Sequence, residues 1–147
     1  MKSVRRHIYR LGYPVALLYW RVRQPQAHGV RVIVRRANKV LLVRHSYGDR
    51  MMWNLPGGGI KREERPKEAA RRELYEEVGI TSGQMVTVAT IKAQEDFRHC
   101  TIHGFSTSVS YASFVTDGAE IAEARWFGWQ DLPHRLRPSA RSMLSHA

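Results

Sequence analysis

Three carboxylates stand close together in the middle of the chain. Glu73, Glu76 and Glu77 are spaced i, i+3 and i+4, so a helix would carry them on one side. Like charges in this arrangement repel, and a solvated helix face with Arg71 or Arg72 nearby is the simplest interpretation. Hard divalent cations offer an alternative, because they require oxygen ligands and convert the repulsion into coordination. Magnesium is the first such cation to consider.

A run of glycines comes shortly before these acids. Gly57, Gly58 and Gly59 predict a sharp turn that lets backbone carbonyls approach a bound cation and keeps side chains away from a bulky phosphorylated ligand. The segment 55–80 contains both features and holds six of the thirteen Asp and Glu residues of the chain. The loop and the helix are therefore predicted to form one site.

This segment resembles a known family. The pattern G-x5-E-x7-R-E-U-x-E-E-x-G-U, where U is aliphatic, is matched without gap or substitution by Gly58, Glu64, Arg72-Glu73-Leu74, Glu76-Glu77 and Gly79-Ile80. At average residue frequencies such a match arises by chance less than about once in 10⁹ starting points. The flanking segments "VLLVRH", "WNLPGG" and "EIAEARWFGWQDLP" are also similar to the family. By this resemblance the chain is identified as a member of the Nudix hydrolases, of the MutT type, with a complete Nudix box from Gly58 to Ile80.

The resemblance implies an activity and a set of roles. Nudix hydrolases use magnesium or manganese to cleave the diphosphate linkage of a nucleoside diphosphate joined to another group. The metal ligands that it implies are the Gly58 carbonyl, Glu73, Glu76 and Glu77, and among these Glu73 and Glu76 are also expected to take part in catalysis. Glu64 is expected to support the metal cluster, and Arg72 to brace the loop against the helix. Bound cations would neutralise the diphosphate, position it and acidify the attacking water.

A further carboxylate is expected to act as general base, because in this family that residue varies between the box helix and a later loop. Glu120, six residues before Trp126, is the main candidate. Glu123 is the alternative in the same segment, and Glu95 or Asp96 could act from another loop. Four aromatic residues could stack on a base: Tyr47, Trp53, Phe97 and Phe105. Three histidines could contact phosphate: His45, His99 and His103. Packing is the commoner role of such residues.

Two loop residues depart from the usual family pattern. Lys61 and Glu63 stand where Nudix loops often carry an acid and a glycine. If the second position needs a left-handed backbone, a residue other than glycine costs up to ~1 kcal/mol there. The departures concern the geometry and charge of the loop more than the reaction, since neither position is a fixed letter of the box.

The elements that must position these residues follow from periodicity and end signals. Pro66 at the first helical position, after Arg65 as N-cap, and Gly79 as C-terminal stop predict the central helix up to Val78. Other predicted elements are a helix over Pro14–Arg23, a hairpin over Gly29–His45, strands at Thr87–Gln94, Phe105–Val115 and Ala124–Trp129, and a helix over Ser139–His146. The predicted fold class is α/β, with a mixed sheet sandwiched between helices (α/β/α), as in the Nudix fold. The predicted division is an N-terminal basic and aromatic helical extension (1–27) and a Nudix hydrolase domain (28–147).

Charge and composition limit the partners. The formal net charge is +11, and residues 1–50 contain twelve Lys or Arg but a single acid, Asp49. This surface could simply be solvated, or it could steer a highly anionic substrate such as a dinucleoside polyphosphate or the 5′ end of an RNA. Residues 13–23 are expected to pack against the domain, with a peripheral contact to an anionic membrane as the alternative. The apolar stretch 14–20 is far below the ~20 residues needed to span a membrane. The single Cys100 fits a reducing compartment, so a cytoplasmic location is expected for a monomer or homodimer.

One rival function stays open at this level. A catalytically silent nucleotide-binding or regulatory module could keep the Nudix fold, but it would typically have lost box carboxylates, and here all are present. A basic RNA-binding protein would leave the glycine loop and the box spacing unexplained, and the sequence carries no nucleic-acid-binding signature.

Overall fold

The computed structural model describes residues 2–116 and 118–147. Within these residues the chain forms three helices and six strands. In chain order they are α1 (Lys2–Arg23), β1 (Gln26–Arg36), β2 (Lys39–His45), β3 (Trp53–Asn54), α2 (Pro66–Val78), β4 (Val86–Glu95), β5 (Arg98–Ser108), β6 (Ile121–Gly128) and α3 (Pro138–Leu144).

The strands form one mixed sheet in the order β3-β2-β1-β5-β4, with β6 paired to β2. Strands β1 and β5 are parallel over a long register from Gln26–His99 to Arg35–Ser108. Strands β4 and β5 form an antiparallel hairpin, and β2 is antiparallel to β1, β3 and β6. A sheet with both kinds of pairing is the arrangement predicted from the sequence.

The segment before α2 fits between two strands that diverge. Strands β1 and β2 pair only next to the turn that joins them. Farther along, β3 hydrogen-bonds to β2, and the amides of Val30 and Val32 in β1 donate to the carbonyls of Gly58 (2.9 Å) and Pro56 (2.8 Å). The glycine loop is therefore anchored at the centre of the sheet, because it takes up hydrogen-bonding groups that β1 would otherwise leave unpaired.

Side chains from alternate positions in the strands fill two cores, one on each face of the sheet. On one face, Val32 and Leu41 pack with Leu74 of α2. On the other face, Ile33 packs with Met143 of α3. This alternation follows from the period of two in a strand. The sandwich of helix, sheet and helix predicted from the sequence is confirmed.

Helix α2 also agrees with the prediction. It begins at Pro66, and the Arg65 amide donates to the Glu68 carboxylate (3.2 Å). Gly79 ends the helix in the left-handed conformation (φ 67°). The apolar stripe, which includes Val78, is fully buried. The local end signals were sufficient here because they all favour the same helix.

Two elements differ from the sequence expectation. Helix α1 begins at Lys2 rather than near Pro14, which lies inside the helix. Proline removes one backbone donor, but the helical pattern continues on both sides of it. Packing of the aromatic side of α1 on the domain offsets this loss. Strand β5 covers Arg98–Ser108 rather than Phe105–Val115, because its register is set by pairing with both β1 and β4.

Candidate active site

The glycine loop lies directly against two carboxylates of α2. Glu77 is 2% exposed, and its Oε2 accepts a hydrogen bond from the Gly57 amide (2.9 Å). A Cβ atom at Gly58 would lie 2.6 Å from the Cδ of Glu73, and one at Gly57 (φ 145°) would lie 2.1 Å from the Val30 carbonyl oxygen. Gly57 therefore requires glycine, because its contact is with backbone, whereas a side chain at Gly58 would displace the Glu73 carboxylate.

A single guanidinium joins the loop to the helix. Arg72 donates to Glu64 (2.7 and 2.9 Å), to Glu73 (2.6 Å) and to Glu76 (3.2 Å). It also donates to the Gly59 carbonyl at 2.9 Å. The hydrogen bond from Arg72 lowers the pKa of Glu64 to about 2, so that carboxylate stays ionised. The planar fork of arginine can hold several acceptors at once, which a lysine cannot do.

Burial disfavours the ionised form of the two inner carboxylates, Glu73 and Glu77. Burial raises the pKa of Glu77 well above its ordinary value, and the neighbouring Glu120 and Glu73 raise it further. Burial also raises the pKa of Glu73, although Arg72 opposes the shift. A hard divalent cation bound by these oxygen atoms would oppose the effect of burial and favour the ionised form of both carboxylates.

Strand pairing brings two more residues to this point. His45 at the end of β2 pairs with Ile121 in β6, where the register shifts by a bulge. One ligand atom from each of His45, Glu77 and Glu120 can be chosen so that all three lie within 4.8 Å of one another. The Tyr47 hydroxyl donates to Oε1 of Glu120 at 3.0 Å. These residues therefore form a group that could hold a metal ion.

The other predicted carboxylates lie in different surroundings. Glu123 in β6 forms an ion pair with Arg125 (2.7 Å). Glu95 is largely buried and pairs with Arg31 (3.2 Å). Asp96 lies in the tight turn between β4 and β5, where its φ is 49°. Glu95 and Asp96 line the same cleft as Glu120, but among the described residues the group that could hold a metal ion contains only His45, Glu77 and Glu120.

The predicted metal ligands differ in burial. Glu73 and Glu77 lie beneath it, whereas Glu76 has an exposed side chain and is tied to Arg72. The Gly58 carbonyl accepts a hydrogen bond from Val30. A carbonyl oxygen has a second lone pair, so this bond fixes the carbonyl without using all of its capacity.

From the sequence, His45 and Tyr47 were only candidates for phosphate contact and for base stacking, and neither was expected beside the carboxylates. In the sequence they are two of several histidines and aromatics without a ligand-spacing pattern. Their position beside Glu120 depends on the pairing of β2 with β6, which are separated by the whole box segment. The register of such distant strands was the missing information, because a shift of one residue would turn each side chain to the other face.

A cleft of about 640 Å³ opens above the carboxylates. Its floor includes Glu73 and Glu120, and one wall comes from α1. Tyr9 and Tyr13 of that helix contact the Tyr47 ring, with centroid distances of 5.5 and 5.1 Å. The N-terminal helix therefore contributes an aromatic surface to the cleft that contains the candidate site.

Helix α1 is also held by the hairpin of β4 and β5. The Arg98 guanidinium lies 3.9 Å from the centroid of the Trp20 ring. Burial raises the pKa of Tyr13 to about 12, and the neighbouring Asp96 carboxylate adds to this shift. Residues 96 and 97, both with positive φ, form the turn that places the hairpin tip beside the helix.

The loop departures have a clear structural outcome. Glu63 adopts the left-handed conformation (φ 63°) that glycine would take without strain. Its side chain is 86% exposed. The amide of Lys61 donates to the Glu64 carboxylate at 2.9 Å. The expectation of a left-handed position is confirmed, and the surrounding loop holds it in spite of the side chain.

Comparison with known proteins identifies the family. The model of the NUDIX domain matches residues 25–147. Diphosphoinositol polyphosphate phosphohydrolase 3-alpha from Mus musculus is 36% identical over 98 residues, which are 65% of this chain and 58% of that protein. RNA pyrophosphohydrolase from Bartonella clarridgeiae is 43% identical over 60 residues, which are 40% of this chain and 35% of that protein. The chain therefore belongs to the Nudix family.

A solved structure supports the same fold. The MutT NUDIX hydrolase from Burkholderia pseudomallei superimposes with a TM-score of 0.77, covers 83% of this chain and 98% of its own, and shares 21% of its residues. At this identity the likeness concerns the fold alone. The aligned part of this chain spans 58% and 35% of the two relatives described above, so their whole-protein activities do not transfer directly.

Proposed function

We propose that this chain is a divalent-metal-dependent hydrolase that cleaves the diphosphate linkage of a nucleoside diphosphate joined to another group. The observation that carries the proposal is the convergence of Glu77 and Glu120 with His45 next to a glycine loop in which Gly57 leaves no room for a side chain. The loop and helix retain every fixed residue of the Nudix box. Intact carboxylates weigh against a catalytically silent module.

The proposed roles follow from the contacts of each residue. Glu73, Glu76 and Glu77, with the Gly58 carbonyl, would hold magnesium, for which manganese could substitute, and the cation would supply neutralisation of the diphosphate and acidification of a water. Glu120 is proposed to accept the proton of the attacking water. The Tyr47 hydroxyl, which donates to Glu120, would keep that carboxylate oriented.

Two residues have proposed supporting roles. Arg72 would keep the loop and α2 in register, because its hydrogen bonds reach the carbonyl of Gly59 and the carboxylates of the helix. Glu64 would hold the Arg72 guanidinium in place from the loop side. Neither is proposed to touch the substrate.

The proposed substrate class is a strongly anionic nucleoside diphosphate derivative. The net charge of +11 would attract it, and the aromatic wall with Tyr9 and Tyr13 offers surfaces on which a base could stack. The names of the relatives include a phosphohydrolase of diphosphoinositol polyphosphate and an RNA pyrophosphohydrolase, both acting on polyphosphorylated compounds. A dinucleoside polyphosphate or a 5′-triphosphate end of RNA would fit the same chemistry. A cytoplasmic location is proposed from the single free Cys100.

A substrate panel tests this proposal. Nucleoside triphosphates, nucleotide sugars, ADP-ribose, dinucleoside polyphosphates and triphosphorylated RNA would be incubated with magnesium, with manganese or with EDTA, and the products would be identified. Cleavage at a diphosphate linkage that EDTA abolishes is expected. A decrease of kcat/KM with salt would support electrostatic steering. Tight nucleotide binding without turnover across the panel would instead identify a silent binding module.

The role of Glu120 has its own test. Glu120→Gln keeps the size of the side chain but removes the base, so kcat at saturating magnesium should fall by about 10²-fold. Glu123→Gln is the matched control in the adjacent strand, and it should retain activity because Glu123 is engaged with Arg125. Unchanged turnover in Glu120→Gln would exclude Glu120 as the general base.

A further inference from the structure

Helix α1 presents a continuous apolar stripe to the outside. Ile8, Leu11, Val15, Leu18 and Val22 recur at alternating intervals of three and four residues, which place them on one side of a helix. Their side chains are 64%, 74%, 70%, 67% and 75% exposed. Large contiguous apolar surfaces are uncommon on a protein without a partner, so this stripe indicates a docking surface.

The orientation of the stripe is fixed by contacts on the opposite side of α1. The opposite side of α1 is held against the domain by ring contacts of Tyr13 with Tyr47 and by the Arg98 guanidinium over Trp20. Tyr9, Tyr13 and Trp20 are correspondingly only partly exposed. These contacts fix the rotation of the helix about its axis, and the fixed rotation turns the apolar stripe away from the domain.

The charges of the helix decide what could cover the stripe. Within α1 the sequence contains Lys2, Arg5, Arg6, Arg10, Arg21 and Arg23 but no Asp or Glu. Pairing the stripe with that of a second copy would bring two purely cationic helices together, at a cost from like-charge repulsion. A surface of anionic lipid would neutralise the same charges while it receives the apolar side chains.

We propose that α1 docks on the surface of an anionic lipid bilayer, with its axis in the membrane plane and its apolar stripe at the boundary of the acyl chains. Arg10 and Arg21, both exposed, would contact the lipid headgroups. The helices within the described residues do not meet the length and hydropathy of a membrane span. The proposal is independent of the hydrolase activity, because Ile8 alone among the five stripe residues borders the cleft.

Vesicle co-sedimentation of the full chain tests this docking. The vesicles would contain phosphatidylcholine alone or phosphatidylcholine with about a quarter phosphatidylglycerol, at about 0.15 M salt to weaken non-specific attraction. The protein should bind the anionic vesicles and not the neutral ones. The double variant Val15→Glu/Leu18→Glu should bind the anionic vesicles at least about 10-fold more weakly, since two charges would enter the acyl boundary.

A matched control separates docking by α1 from general attraction of a basic protein. Val86→Glu/Val115→Glu introduces the same two charges at apolar side chains that are 51% and 73% exposed outside α1. It should bind like the wild type. Equal binding of both double variants would overturn the proposal, as would a failure of the wild type to bind.

If a second copy of the chain covered the apolar stripe, the measurements would give a different result. Sedimentation velocity would then show a wild-type dimer that the Val15→Glu/Leu18→Glu variant converts to monomer, and vesicle binding would be absent. Circular dichroism would establish that the variants retain the wild-type helix content. A membrane-bound wild type with monomeric behaviour in solution is the outcome expected here.

Discussion

Helices α2 and α1 make opposite use of the same amphipathic principle. In α2 the apolar stripe is fully buried. Two of its acids, Glu73 and Glu77, lie against a loop that is bonded to the centre of the sheet. In α1 the apolar stripe with Leu11 and Val22 is mostly exposed, and aromatic rings supply the contact with the domain. One helix is part of the core, whereas the other is attached to its surface.

This difference separates two kinds of function. The acids of α2 are positioned by packing and by several hydrogen bonds at once, which is the requirement for precise chemistry on a bound ion. The side chains of α1 that face outward have no such internal constraint, so their roles must depend on what approaches the protein. Changes in the loop and α2 should therefore alter the reaction itself, and changes in α1 should alter what the protein binds.

The largest effect is expected from Glu77→Gln. The amide oxygen of glutamine can still accept the hydrogen bond from Gly57, but the charge for a cation is lost. Turnover should fall by at least about 10²-fold, the scale of losing one charge-stabilising group in an active site. The unfolding temperature in EDTA should stay the same or rise, because the substitution removes a buried carboxylate that Glu120 and Glu73 repel.

The effect of magnesium on the unfolding temperature is a second measurement on Glu77→Gln. A cation that binds the folded protein raises the unfolding temperature of the wild type, and the increase should be much smaller in Glu77→Gln. Glu68→Gln is the control on the same helix, since Glu68 is exposed and lies outside the carboxylate group. Full activity of Glu77→Gln with an unchanged magnesium response would mean that the buried carboxylate has no part in the site.

A smaller loss is expected from Arg72→Lys. Lysine keeps the positive charge but cannot bridge Glu64, Glu73 and the Gly59 carbonyl as the guanidinium does. The activity should decrease by about 10- to 100-fold, as is typical when a residue that orients metal ligands is changed. Arg71→Lys, one position earlier and exposed, should have little effect. If Arg72→Lys retained as much activity as Arg71→Lys in a steady-state assay, only the charge would matter at position 72.

The contrast between the helices also explains what the sequence could predict. The loop and α2 lie within one short segment, and their structure depends on local signals: the glycine run, Pro66, Gly79 and the spacing of the acids. The left-handed position at Glu63 was expected from the family resemblance, since glutamate itself gives no sign of that conformation. The juxtaposition of the loop with Glu73 and Glu77 therefore follows from local sequence.

The remaining parts depend on contacts between distant segments. His45 meets Glu120 only because β2 pairs with β6 across a bulge, and no short pattern encodes that register. The bounds of β5 are set by its two neighbouring strands. Helix α1 was expected to begin at Pro14, since a proline is a common first residue, but the packing of its aromatic face tolerates a proline in the interior.

Because α1 is proposed to form a wall of the cleft, a substitution in α1 should alter substrate binding rather than the chemical step. Trp20→Ala removes the ring beneath Arg98 and weakens the contact of the helix with the domain. The KM for the preferred substrate should rise by up to about 10-fold, the scale of losing one stacked aromatic, while kcat changes little. Tyr19→Ala is the control, because its side chain is 57% exposed on the outward side. A loss of kcat as large as that of Arg72→Lys would remove the distinction between the two helices.

The smallest expected effect concerns the packing of α1 on the domain and the dependence of this packing on pH. Burial and Asp96 raise the pKa of Tyr13 from 10 to about 12, so the folded protein favours the neutral phenol. The stabilisation that this phenol contributes is complete below pH 10 and is lost as the pH rises through about 12. Subtracting the tyrosinate absorbance titration of Tyr13→Phe from that of the wild type isolates this group. A midpoint near 12, measured while circular dichroism shows a folded protein, is expected for a packed helix, whereas a midpoint near 10 would place Tyr13 in water and α1 away from the cleft.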